Sequence, residues 1–360
     1  MAARIPIQII GGGLAGLTLG IALRRREVPV TVFEAGNYPR HRVCGEFING
    51  RGLAVLDELR LTERFMAAGA RRAESTVFFS GTARSSVRAL PSPALCLSRF
   101  VMDQLLADEF RKLGGDLRTG ERWNLVGVHA SARPDRLKPE LQREGIVHAG
   151  GRRLQPVENG WRWFGLKAHA TDVPLEADLE MHLGKNGYVG ICRLGGDKVN
   201  ICGLFRRNGE SDPSAAGFDR LRGDAGTLLY RRLENARFDE ASFCSVAGLS
   251  LRPQRAADRS EVCIGDALTM IPPVTGNGMS LAFESARLAA EPLDAFSRGE
   301  ISWARAQQFV AERCDQNFSR RLAWARWLQT AMFSPWLHRP LLAAVSRSDR
   351  FWRMTFARTR

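Results

Sequence analysis

Two glycine-rich clusters, each with a nearby acid, have the spacing to hold a nucleotide. Gly11-Gly-Gly13-Leu-Ala15-Gly16 follows the apolar run IPIQII and precedes Leu17, Ile21 and Ala22, which recur at helical spacing. In such a G-x-G-x-x-G turn the first glycine permits the tight reversal, and the second lets the backbone approach a pyrophosphate. The third lets helix and strand pack closely, while the helix N-terminus offers free N–H groups and a favourable dipole. Glu34 lies eighteen residues after Gly16, at the end of the next apolar run, VPVTVFE. An acid there accepts hydrogen bonds from ribose hydroxyls and disfavours a 2′-phosphate.

The second cluster selects the dinucleotide. In EVCIGDALTMIPPVTGNGMSLAFES, residues 261–285, Gly265-Asp266 ends an apolar run and Gly276-Asn277-Gly278 opens a helical one after Pro272-Pro273. The acid can bind a ribityl hydroxyl. The glycine-rich helix start can lie against a flavin ring and stabilise the negative charge that develops at its N1–C2 edge on reduction. Taken alone, the segment is equally an ordinary strand-loop-helix with a surface aspartate; taken with the first cluster, it points to FAD.

A third pattern lies in WRWFGLKAHA. Strand alternation puts Trp161, Trp163, Gly165, Lys167 and His169 on one face and Arg162, Phe164, Leu166 and Ala168 on the other. Lys167 and His169 are candidate catalytic groups if that face floors a substrate pocket, where cations would suit an anion or enolate. The alternative is a solvated face with Phe164 and Leu166 in the core. The seven cysteines are odd in number, scattered and never spaced C-x-x-C, so neither a disulfide framework nor a metal cluster is expected, and a reducing cytoplasm fits.

These residues need a scaffold that fixes them, and the apolar pattern supplies one. A strand, crossover helix and strand within about thirty residues make a βαβ unit, so the chain starts as α/β with a parallel sheet. A helix is expected near 52–59, strands near 75–90, a helix from about Phe100 to Leu113, and short strands around a polar turn at 121–150. Residues 161–205 read as extended runs of an antiparallel sheet, 214–235 as helical, and 279–290 as a helix. The last sixty residues read as helical throughout. At 360 residues, 44 % hydrophobic and 25 % charged, the chain has material for two domains. We assign a discontinuous Rossmann-type FAD-binding domain (1–74, 99–160, 255–300), an interleaved antiparallel β-sheet substrate domain (75–98, 161–254) and a helical C-terminus (301–360).

The net charge of +14 favours acidic partners. The C-terminal sixty residues hold eleven arginines against Glu312, Asp315 and Asp349, and five of the eight tryptophans (Trp303, Trp324, Trp327, Trp336, Trp352). Val310, Cys314, Phe318 and Leu322 recur every four residues. Basic, tryptophan-rich amphipathic helices suit a membrane interface or an acidic carrier protein, and equally a cover over the substrate domain with solvated arginines. A basic nucleic-acid-binding protein is the distant alternative that the charge suggests, but with the charge concentrated there and no nucleic-acid-binding module in sight, nucleic acid is not an expected partner. The uncharged stretch from Ile5 to Leu23 is broken by five glycines, so no transmembrane helix is expected and the protein is placed in the cytoplasm, at most peripheral on a membrane.

The fingerprint Gly11–Gly16 with Glu34, the segment Pro39-Arg40-His-Arg-Val-Cys44-Gly45-Glu46, the stretch Leu97-Ser98-Arg99 with Asp103, and the block from Gly265-Asp266 to Met279 occur in the order found in FAD-dependent oxidoreductases. The chain resembles the para-hydroxybenzoate hydroxylase superfamily, and the Val-Cys-Gly-Glu segment is similar to its geranylgeranyl reductase-like branch. The resemblance covers the first 110 residues and 260–290 and is vague in the substrate sheet. It implies that Gly11, Gly13, Ala15, Gly16 and Glu34 hold the ADP half of FAD, and that Arg40 and Arg99 lie near the phosphates or ribityl chain. It further implies that Asp266 binds the ribityl chain, that Gly276, Asn277, Gly278 and Met279 line the flavin ring, and that Cys44-Gly45 lies beside the isoalloxazine, with Cys44 a catalytic candidate. The Ala-Asp-Gly…Ser block of many hydroxylases is replaced here by His148-Ala-Gly150-Gly-Arg-Arg-Leu154, which puts their nicotinamide docking in doubt. Trp161-x-Trp163 is similar to the W-x-W-x-I-P segment of flavin halogenases, but Gly165-Leu166 stands where Ile-Pro belongs, so halogenation is not expected. The implied activity is an NADH- or NADPH-reduced FAD monooxygenase acting on a lipophilic or aromatic small molecule, or alternatively a double-bond reductase.

Overall fold

A computed structural model describes residues 3–123, 144–152, 157, 160–208 and 217–359. Its strands are β1 (Ile7–Ile10), β2 (Val30–Glu34), β3 (Phe47–Ile48), β4 (Arg71–Ser80), β5 (Ala83–Arg84), β6 (Arg88–Cys96), β7 (Asp116–Thr119), β8 (Ile146–His148), β9 (Trp161–Thr171), β10 (Leu179–Leu183), β11 (Gly187–Arg193), β12 (Val199–Asn208), β13 (Arg237–Ala247) and β14 (Val262–Cys263). Its helices are α1 (Leu14–Arg24), α2 (Gly50–Glu58), α3 (Thr62–Ala67), α4 (Arg99–Lys112), α5 (Phe218–Arg222), α6 (Leu228–Leu233), α7 (Gly278–Ser297), α8 (Trp303–Met332), α9 (Pro335–Arg347) and α10 (Asp349–Arg358).

The first sheet is parallel, in the order β14-β8-β1-β2-β7. Ile7 and Ile9 of β1 and Leu17, Leu19, Ile21 and Leu23 of α1 are fully buried, because α1 lies between this sheet and α7. A crossover helix buried on both sides must be apolar nearly all round, which is why the span from Ile5 to Leu23 carries no charge. Of the expected strands at 121–150, β8 is described; residues 124–143 lie outside the described set.

The second sheet runs β13-β9-β12-β11-β10-β4-β6-β3, with β5 on β4. It is antiparallel apart from one join: β10 pairs with β4 in parallel, Leu179 opposite Thr76 through Leu183 opposite Ser80. That join links the two excursions that the chain makes out of the first sheet, between β2 and β7 and between β8 and β14. β13 has no counterpart in the sequence reading. Its pairing with β9 shifts between Asp239 and Cys244, and this irregularity breaks the period-two pattern by which a strand is recognised.

Helix α7 runs on through Pro292 to Ser297 instead of stopping near Ala290. Helix α8 packs along it, burying Val310, Cys314, Phe318 and Leu322. The four-residue stripe is therefore core. Arg321 reinforces it, donating two hydrogen bonds to the Glu284 carboxylate at 2.9 and 3.1 Å. Helices α9 and α10 fold back over the second sheet, where Trp352 Nε1 donates to the Ala89 carbonyl and His338 Nδ1 meets Ser80 Oγ at 2.8 Å. Among the described residues no helix is long and apolar enough to cross a membrane.

Candidate active site

The turn between β1 and α1 separates glycines that the fold needs from one that a ligand needs. A Cβ on Gly11, whose φ is +109°, would lie 2.5 Å from the Ala149 and Gly150 backbone, and one on Gly16 would lie 1.9 Å from the Gly11 carbonyl oxygen. A Cβ on Gly13 would meet nothing within 4 Å. Gly13 is the N-cap of α1, without a capping side chain or an acid in the first turn, so the helix dipole opens onto unfilled space. Glu34 lies beside it, accepting from the Gly12 N–H and the Gly36 N–H at 3.0 Å each and pairing with Arg40 at 2.7 Å. Burial opposes its charge, but Arg40 and the Gly36 N–H outweigh burial and hold the carboxyl below its ordinary range. Arg40 Nε is buried with no protein partner. An open helix N-terminus, an ionised acid at the strand end and an unsatisfied guanidinium nitrogen are what an adenosine diphosphate requires.

At the other end, Gly265 adopts φ +59° so that Asp266 turns into the cavity, and Ala15 stands against that turn, 2.8 Å from where a Gly265 Cβ would be. Burial raises the Asp266 carboxyl, with Arg152 and Arg99 opposing it. Gly276, at φ +64°, approaches the Phe47 ring, and Gly278 leaves open space at the start of α7. Gly276, Gly278 and Met279 line the cavity, whereas the Asn277 side chain turns away and donates to the Thr359 carbonyl at the end of α10. Arg99 faces the cavity with its guanidinium fixed by Asp103 at 2.7 and 2.8 Å. Cys44 and Gly45 also line it. Asn200 Nδ2 holds the Cys44 carbonyl at 3.0 Å, the Cys192 thiol holds that of Gly45 at 3.3 Å, and burial raises the Cys44 thiol so that it rests protonated.

Lys167 and His169 do share a face of β9, but the segment 41–46 covers it. Both are buried behind Glu46 and neither lines the cavity, so a direct contact with substrate is not what the structure offers them. Glu46, fully buried at φ +55°, accepts from His169 Nε2 at 2.7 Å and from the Arg99 N–H at 2.8 Å, with Lys167 Nζ at 3.4 Å. Lys167 also donates to His41 Nδ1 at 3.1 Å. Burial disfavours the Glu46 charge, yet His169 and Lys167 outweigh it and hold the carboxyl low. The rest of that face is not solvated either, since Trp163 packs on Phe333 and Gly165 on Val43, while Phe164 stacks on Phe205 in the opposite core. Sequence reasoning gave no role to Glu46, His41 or Arg152. An acid directly after Cys-Gly was the available signal for the first; nothing local marks the other two.

These groups border one cavity of about 1060 Å³. It runs from Gly13 and Glu34, past Asp266 and Cys44, into an apolar chamber walled by Met181, Leu204, Leu328, Leu342 and Phe356. The enclosed length suits an extended dinucleotide.

Residues 4–145 match the family model for the FAD binding domain. The chain is 26% identical to the menaquinone reductase of Mycobacterium tuberculosis, over 88% of this chain and 83% of that one. It is 25% identical to the 6-methylpretetramide 4-monooxygenase of Streptomyces rimosus over 85% of this chain and 58% of that one. Among solved structures, a flavin-dependent brominase superposes with a TM-score of 0.75 at 17% identity, covering 98% of this chain and 92% of that one. PqsL of P. aeruginosa superposes at 0.69 and 17%, covering 94% and 99%. The fold, with its parallel sheet, curled second sheet and C-terminal helices, is that of FAD-binding monooxygenases. Residues 4–145 are an FAD-binding domain, and the chain is an FAD-dependent oxidoreductase of the monooxygenase kind.

Proposed function

We propose that the enzyme hydroxylates a lipophilic small molecule held in the apolar chamber. The observation that carries this reading is the continuity of the cavity: the dinucleotide cradle and the chamber are one space, meeting at Cys44, Gly45 and Gly278. When bound, FAD supplies the redox chemistry, taking electrons from NAD(P)H and passing them to oxygen or to an unsaturated bond. The protein binds, orients and shields. Gly13 and the α1 N-terminus would hold the pyrophosphate, Glu34 the ribose, and Asp266 the ribityl chain. The α7 N-terminus at Gly278 would direct its dipole at the edge of the ring where negative charge develops. The apolar chamber excludes water, which a reactive oxygen donor requires.

A second reading has its own support. The protonated Cys44 thiol stands at the junction, where it could give a proton to one carbon of a double bond as hydride reaches the other, and the match to a menaquinone reductase extends along most of the chain. One experiment separates the two. Pure enzyme with NAD(P)H and a panel of lipophilic quinones, polyketides and polyenes is run under labelled oxygen and, in parallel, without oxygen. Hydroxylation predicts one labelled oxygen per product and no product anaerobically. A product two hydrogens heavier, formed without oxygen, would replace it by reduction.

A further inference from the structure

Helices α9 and α10 each have two faces of opposite character. On α9, Trp336, Arg339, Pro340, Ala343 and Arg347 recur at three- and four-residue intervals and form one outward stripe. Leu341, Leu342 and Val345, on the opposite side, line the chamber. On α10, Arg350, Arg353, Met354 and Ala357 make the same outward stripe, while Phe351, Trp352, Thr355 and Phe356 line the chamber. Trp336 is 77 % exposed, the most exposed large apolar side chain among the described residues. Arg339, Arg347, Arg350 and Arg353 have no carboxylate in salt-bridge range among those residues, and the one acid of the two helices, Asp349, is paired with Arg88.

We propose that this outer face docks on an anionic lipid surface. The chemistry favours lipid: the stripes alternate exposed guanidinium groups with Trp336, Pro340, Met354 and alanines, the pattern that seats aromatic and apolar side chains among headgroups while arginines meet their phosphates. The placement gives the docking a use. The same two helices form the chamber wall, so a molecule leaving the bilayer would have one helical layer to pass before reaching the flavin end. That use rests on the lipophilic-substrate reading; the docking does not. Trp303 and Trp352 take no part, being buried in the core and the chamber wall, and Trp324 is stacked on Trp327 beneath Arg358.

The test is co-sedimentation of the full FAD-loaded chain with vesicles of phosphatidylcholine alone or with phosphatidylglycerol. Binding to the anionic vesicles at low salt is expected, with little to neutral ones and release as salt shortens the screening length. The variant Arg339→Gln/Arg347→Gln/Arg350→Gln/Arg353→Gln should lose affinity on the order of 100-fold or more, as four basic side chains near a charged membrane imply, with its flavin absorbance unchanged. In brominated-lipid vesicles, Trp336→Phe should lose a component of the tryptophan quenching. Equal recovery in the supernatant with both vesicle types would overturn the proposal, as would unchanged sedimentation of the four-arginine variant. Capture by an immobilised acidic carrier protein without vesicle binding would reassign the face to a protein partner. No turnover is measured, so failure here is distinct from failure of the hydroxylase reading.

Discussion

The Glu46 carboxylate accepts a hydrogen bond from His169 Nε2 at 2.7 Å across 123 positions of sequence. Together with Lys167 it fastens the segment that carries Cys44 and Gly45 to the middle of the second sheet. The two cations that sequence marks as candidate catalysts are thereby positioning residues: they fix the loop whose Cys44 and Gly45 line the cavity.

Glu46→Ala leaves Lys167 charged and fully buried without its counter-ion. The expected loss is about 3–5 kcal/mol of stability, the usual result of breaking a buried pair, read by chemical denaturation. Adding Lys167→Met should restore part of it. A Glu46→Ala protein as stable as the parent would show that Lys167 finds its compensation elsewhere.

His41 gives the molecule an acid limit. Burial, with the charges of Lys167 and His169, lowers it to about 4 from 6.5. Glu46 and Asp239 pull weakly the other way. Between those values the unfolded chain binds a proton here that the folded chain does not, so stability falls as pH drops through that window. Thermal melts of the parent and of His41→Gln, compared between about pH 7 and pH 4, should show a shallower decline in the variant.

Gly13→Leu should fold and lose its colour. Open space receives the side chain, but it is the space that a pyrophosphate would use, so FAD affinity should fall by roughly 100-fold or more, about 2.7 kcal/mol, with the circular dichroism spectrum and melting temperature close to those of the FAD-free parent. Gly16→Leu should instead fail to fold, since its Cβ would meet a backbone oxygen. Retained flavin colour in Gly13→Leu would place the cofactor elsewhere.

Cys44→Ala should keep its FAD and change its catalysis. If the thiol supplies a proton, turnover falls with FAD content unchanged and the pH profile loses its alkaline limb, whereas a packing role would alter neither. Iodoacetamide should label Cys44 slowly at neutral pH and faster in alkali, because burial holds the thiol protonated.

The parallel sheet, the crossover helix and the two glycine turns were legible because each is written in neighbouring residues: apolar runs of fixed period, ended by glycine. Distance in sequence hid the rest. That Lys167 faces Glu46, that Asn277 serves Thr359 and that Arg152 stands near Asp266 are consequences of packing between segments far apart. Strand β13 was hidden by its register shift. Strand alternation gave the correct partition of β9 into two faces, but it carries no information about what lies on top of either.

The order of strands in the parallel sheet has a consequence for synthesis. β1 and β2 are made within the first 34 residues, but β14, at Val262–Cys263, pairs only with β8 and closes the sheet's other edge. During translation the growing chain therefore carries an unfinished edge while the whole second sheet emerges from the ribosome. The parallel join between β4 and β10 adds a second long wait. Such non-local pairings fold slowly and leave strand edges open to other chains in the meantime. Yield in a fast-translating host should therefore depend on chaperone supply, a burden set by the wiring of the sheets and not by the final stability of the molecule.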